Sequence, residues 1–126
     1  MSWRKLAERE YLEADRRFVE EVLPLGSVNL SSFGLIADAT NYLLVEEGGE
    51  VHIHPEVASL KEVVASLSRG GAAVSPRDAE QAVRKFAELW EEGLRRSGKW
   101  EQVVAAAREA GEIRPPERKR RWPFGR

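Results

Sequence analysis

A chain of 126 residues, 42% hydrophobic and 33% charged, has the length of one domain and enough apolar content for one modest core. It holds no cysteine, which excludes a disulfide framework, thiol catalysis and any zinc site built on thiolates. The formal net charge of −1 conceals an uneven distribution: residues 18–60 carry seven acidic side chains and no Lys or Arg, whereas residues 114–126 carry six basic ones against Glu117 alone.

Residues 3–23 predict a helix, with Ala7, Tyr11, Ala14, Phe18 and Val22 recurring at three and four and Arg, Lys and Glu filling the other faces. Pro24 ends it. Ser32 is placed to cap a short helix whose inner set is Phe33, Ile36, Ala37 and Thr40. Residues 42–54 then read as a small β-hairpin in which Gly48 and Gly49 take the positive φ angles of a tight turn. The competing reading continues the helix to Glu47, and the alternation V-H-I-H after the glycines favours the hairpin.

Pro55 suits the first turn of a helix that carries Val57, Leu60, Val63, Val64 and Leu67 on one stripe and closes at Gly70. Ser75, Pro76 and Asp78 resemble a capping box with Asp in place of Glu. The helix they open, 76–96, sets Ala79, Val83, Phe86, Trp90 and Leu94 at heptad-like spacing. Ser97 and Gly98 break it, and a last helix from about Lys99 to Ala110 presents Trp100, Val103, Val104 and Ala107 before Gly111 closes it. The fold class expected is therefore mainly α. It is one domain of about five helices and one hairpin over residues 1–113, followed by a flexible basic tail, 114–126.

Three resemblances bear on function. Gly98, Trp100, Ala107, Ala110 and Pro115 resemble the second half of a tetratricopeptide repeat, but there is no second copy, and a lone repeat cannot bury its own face. The pair His52 and His54 is similar to the His-x-His of the cupin metal motif, without that motif's glutamate spacing. The order of Ser32 helix, hairpin and next helix resembles the recognition helix and wing of a winged helix-turn-helix domain. Here the wing is E-E-G-G-E, which repels phosphates where a DNA reader needs Lys and Arg.

On a strand, Glu50, His52, His54 and Glu56 share one side while Val51 and Ile53 take the other. His52 and His54 are the candidate metal ligands, and they need a third, for which Asp38 is available in the preceding segment. The expected alternative is a solvent-facing strand without ligand, and no cofactor is expected. The tail offers the candidate partner-binding residues Arg118, Lys119, Arg120, Arg121, Trp122 and Phe124. The basic run can neutralise phosphates with Trp122 stacked on a base, or Trp122 and Phe124 can anchor in a groove of a partner protein.

No G-x-S-x-G, P-loop or dinucleotide fingerprint occurs, and the helical carboxylates alternate with Arg and Lys as on solvated faces. The charged N-terminal stretch and short apolar runs fit neither a signal peptide nor a membrane span, so a cytoplasmic protein is expected. Scant Met, Asn and Gln beside abundant Glu and Arg fit a thermostable one. The function expected is a non-enzymatic assembly or adaptor protein, meeting a protein partner or itself through helix faces and the W-P-F tail. The alternatives are nucleic-acid association through the tail and a metal-dependent enzyme using His52 and His54.

Overall fold

The computed structural model describes residues 2–22, 30–71 and 74–116. Among these, the chain is mainly helical with one small sheet. In order it forms α1 (Trp3–Leu6), α2 (Glu8–Arg17) running into a π-helical turn (Phe18–Val22), α3 (Leu30–Ala39), β1 (Tyr42–Glu47) and β2 (Glu50–Pro55). It continues as α4 (Val57–Arg69), α5 (Pro76–Arg96), α6 (Trp100–Glu109) and β3 (Ile113–Arg114).

Helix α5 is the axis around which the rest is wrapped. Ser75 caps it by accepting the Asp78 N–H, and Pro76 opens it where a missing N–H costs nothing. Its buried set is Ala79, Ala82, Val83, Phe86, Ala87, Leu89, Trp90 and Leu94, wider than a single heptad seam. That width is used on several sides: α2 and its π-helical turn, α3, α4, α6 and β2 all pack on this one helix.

Two aromatic rings one turn apart on α5 organise the centre. Trp90 meets Trp3 at 5.1 Å, Tyr11 at 5.0 Å and Tyr42 at 5.9 Å between ring centroids. Phe86 meets Tyr11, Phe18 and Tyr42 at 5.2–5.5 Å. Tilted, edge-on and, for Tyr42 with Phe86, stacked pairings at these distances add roughly 0.5–1.5 kcal/mol each beyond the area they bury. Helix α1, helix α2, the π-helical turn and β1 are thus all tied to two residues of α5.

The sheet has the order β2-β1-β3. β1 and β2 form the expected hairpin, antiparallel with Leu44 opposite Ile53 and Glu47 opposite Glu50. Gly48 and Gly49 have φ of 63° and 86°, the left-handed angles that the tight turn demands. Tyr42, Leu44, Val51 and Ile53 are buried in the common core.

Three details differ from the sequence reading. The helix over residues 3–23 is interrupted at Ala7, whose φ of −99° and ψ of 11° leave the helical path. The carbonyl there accepts both the Tyr11 N–H and the Trp90 indole N–H, a tertiary bond invisible to local periodicity. Pro55 ends β2 instead of opening α4, whose N-cap is Glu56. Ile53 turns its N–H to the outer edge of β2, and Pro55, two positions on, lacks a donor only on that same open side. Helix α4 closes at Gly70 as read, with the positive φ of 94° following at Gly71. Finally, Ile113 and Arg114 pair in parallel with Leu44 and Val45, a two-residue strand too short for any alternation to announce.

Candidate functional site

The tail residues Arg118, Lys119, Arg120, Arg121, Trp122 and Phe124 lie outside the described residues, as does the side chain of Ser32. The histidines are described, and they define the candidate site.

The two-residue period of β2 puts His52 and His54 on one side, with their ring centroids 6.5 Å apart, while Val51 and Ile53 are buried on the other. β2 is an edge strand, so half its backbone groups look outward and need partners. Helix α5 supplies them. The Ile53 N–H donates to Glu91 Oε1 at 3.0 Å, and the Val51 carbonyl accepts from Arg95 Nη2 at 3.4 Å. Glu91 and Arg95, one turn apart, are themselves joined at 2.9 Å, so one ion pair on a helix serves as the missing neighbour strand.

His52 is built into the same arrangement. Its Nδ1 lies 2.8 Å from Glu91 Oε2 and its Nε2 3.0 Å from Glu50 Oε1. The hydrogen bond to Glu91, reinforced by that to Glu50, holds the imidazole above its usual pKa. His54 moves the other way: burial first, then the neighbouring Arg84 and His52, depress its affinity for a proton. The strand therefore carries one proton-binding imidazole beside one that resists protonation.

A groove of about 500 Å³ runs along this junction, lined by Ile53, Pro55 and Ala87 at its floor and by His52, His54 and Glu91 among its polar groups. A second groove of about 490 Å³ continues past His52, Glu91 and Arg95 toward the hairpin turn, between Glu50, Val51 and α6. There Trp100 and Val104 form an apolar wall, and Arg95 stacks its guanidinium over Trp100 at 4.7 Å.

Asp38, the possible third ligand, sits elsewhere: it accepts the Tyr11 hydroxyl at 3.1 Å and raises the pKa of Asp15, which burial has already pushed up. Among the described residues no group of three His, Asp or Glu side chains gathers around a common point that could hold a metal. Among them, too, no helix is long and apolar enough to cross a membrane.

Sequence reasoning located His52 and His54 and their shared face but missed Glu91 and Arg95. The two looked like one more exposed i,i+4 pair, and only the packing of α5 along β2 gives them a backbone to serve. It also missed Glu10 of α2, which is 1% exposed and accepts from Lys99 Nζ at 3.2 Å. No protein-family model, curated protein or solved structure matches the chain.

Proposed function

We propose that this is a non-enzymatic assembly or adaptor protein that meets a protein partner, or a second copy of itself, through the outer face of α2 and the neighbouring α3, with the W-P-F tail as a further contact. The carrying observation is what the core leaves over. The stripe on α5 is consumed inside the chain, since Ala79, Val83, Phe86, Trp90 and Leu94 are all buried. So is the inner stripe of α2 and its π-helical turn, Ala14 and Phe18. Leu12, Val19 and Leu35 nevertheless stand 61%, 51% and 58% exposed.

Leu12 on α2 and Val19 on the π-helical turn that continues it are seven positions apart in the chain. Leu35 lies on α3, which is tied to α2 by the bond from Tyr11 to Asp38. Each large aliphatic side chain left in water has a cost, and covering one with a partner recovers at most roughly 1.5–3 kcal/mol, less here because each is already partly covered.

The test is the native mass of the protein in lysate and after purification, for the natural chain and for Leu12→Glu with Val19→Glu. Both positions are exposed, so the variant keeps the fold, checked by circular dichroism. A mass above the monomer that collapses in the variant supports the reading; a monomer in both forms, in lysate as in buffer, contradicts it.

A further inference from the structure

The parallel register of β3 decides where the tail begins. Ile113 lies opposite Leu44 and Arg114 opposite Val45, so the chain is travelling toward Glu46, Glu47 and the Gly48–Gly49 turn as it enters Pro115 and Pro116. Two consecutive prolines hold φ near −65° and keep that heading extended. The next residues, Glu117 to Arg126, include Arg118, Lys119, Arg120, Arg121 and Arg126 against one carboxylate.

Beside that exit is the mouth of the groove between the hairpin tip and α6. Gly49, Glu50, Val51, Trp100, Glu101 and Val104 line it. Its floor is apolar: Val51 and Trp100 are each 7% exposed, and Val104 is half-buried. Its surroundings are acidic. Glu50, Glu91 and Glu101 line it with His52, Arg95 and Arg108, and Glu46 and Glu47 stand on the adjoining strand; His52 already faces Glu50 and Glu91, Arg95 faces Glu91 and Arg108 faces Glu46, which leaves Glu47 and Glu101 as the carboxylates with most charge to offer.

We propose that residues 118–124 of the chain's own tail dock in this groove, Trp122 and Phe124 against Val51, Trp100 and Val104, and the basic run along Glu47, Glu50 and Glu101. The reach suffices: six residues from Pro116 to Trp122 span up to roughly 20 Å when extended. Tethering at the groove's mouth favours the chain's own tail over a separate one, because the local concentration of a short linked segment is on the order of millimolar. Apolar anchors in a pocket with charges at its rim are the usual division of labour in such contacts. A tail held this way withholds its aromatic anchors from a partner until the groove gives them up. The inference rests on reading the tail as a docking element, not on the α2 face, so the two proposals fail separately.

The chain has no cysteine, so Gly125→Cys offers a unique attachment point for a nitroxide spin label without touching the basic or aromatic residues. Backbone amide signals of the full-length, labelled protein are then compared with the nitroxide oxidised and reduced. Broadening at Gly49, Glu50, Glu101 and Val104, sparing Glu62 on α4, unchanged on dilution and lost in Glu47→Lys with Glu101→Lys, is the expected result. No broadening at the groove overturns the proposal. So does broadening seen only when unlabelled-tail, isotope-enriched chains are mixed with spin-labelled ones, which assigns the groove to a second copy's tail.

Discussion

Glu91 on α5 accepts the backbone N–H of Ile53 at 3.0 Å, and with its other oxygen holds His52 Nδ1 at 2.8 Å. A helix side chain here completes a β-strand edge, and its carboxylate is 13% exposed, so the bonds are shielded from competing water. Glu91→Ala leaves the Ile53 N–H without its partner and the β2 edge open. The expected cost is about 1–3 kcal/mol in urea unfolding, with a greater tendency to aggregate. Glu91→Gln keeps an acceptor for Ile53 and loses less. Equal stability of Glu91→Ala and the natural protein would show that the edge needs no cover.

That relationship marks the boundary of what the residues disclosed unaided. The hairpin was legible because Gly48 and Gly49 have few alternatives at positive φ and because V-H-I-H alternates. The start of α5 was legible because Ser75, Pro76 and Asp78 act locally. The break at Ala7, the two-residue β3 and the service of Glu91 to Ile53 were not, since each is fixed by a contact between residues far apart in the chain. Of the site, the shared face of His52 and His54 was visible; the Glu91 carboxylate that raises the proton affinity of His52 was not distinguishable from a solvated helix surface, and the burial that lowers that of His54 exists only once the chain is packed.

Glu10 makes a second prediction. It is buried on α2 and accepts from Lys99, whose ammonium also donates to the Leu6 carbonyl at 3.2 Å. Lys99→Met leaves the buried Glu10 carboxylate only the more distant Arg9 guanidinium, at 3.9 Å, and costs about 2–3 kcal/mol, below the value for a fully enclosed pair because Arg9 remains and Lys99 is 31% exposed. Adding Glu10→Leu to the same chain recovers a large part of that loss. A double-mutant cycle by thermal unfolding measures the coupling, and strict additivity of the two changes would contradict it.

The aromatic centre predicts the largest single losses. Phe86→Ala removes the ring shared by Tyr11, Phe18 and Tyr42 and costs about 3–5 kcal/mol. Trp90→Phe keeps most of the packing but takes the indole donor from the Ala7 carbonyl, at about 1–3 kcal/mol. Chemical denaturation ranks them, and a Trp90→Phe protein less stable than Phe86→Ala would reverse the order.

His52 predicts a pH dependence with a definite sign. Its folded pKa is raised by the Glu91 and Glu50 hydrogen bonds, so the protonated form favours folding. Its contribution is fully present below the unfolded imidazole value of about 6.5 and is lost as pH rises through the folded value. The ring is 42% exposed, so the effect stays under about 1 kcal/mol. His54, depressed by burial, acts in the opposite sense: its contribution is present above the unfolded value and lost as pH falls through its own folded value. The stability advantage of the natural protein over His52→Gln should therefore shrink between roughly pH 6 and 8. An advantage that grows over that interval contradicts the assignment.

The central claim, that the outer side of α2 is a docking face, is tested most directly by site-specific photo-crosslinking in the producing cell. A photoreactive residue placed at Leu12 or Val19 should capture a defined protein adduct, another copy or one recurring partner. The same residue at Glu62, an exposed site on α4, should capture none. Adducts at neither position, or equally at all three, would contradict the account.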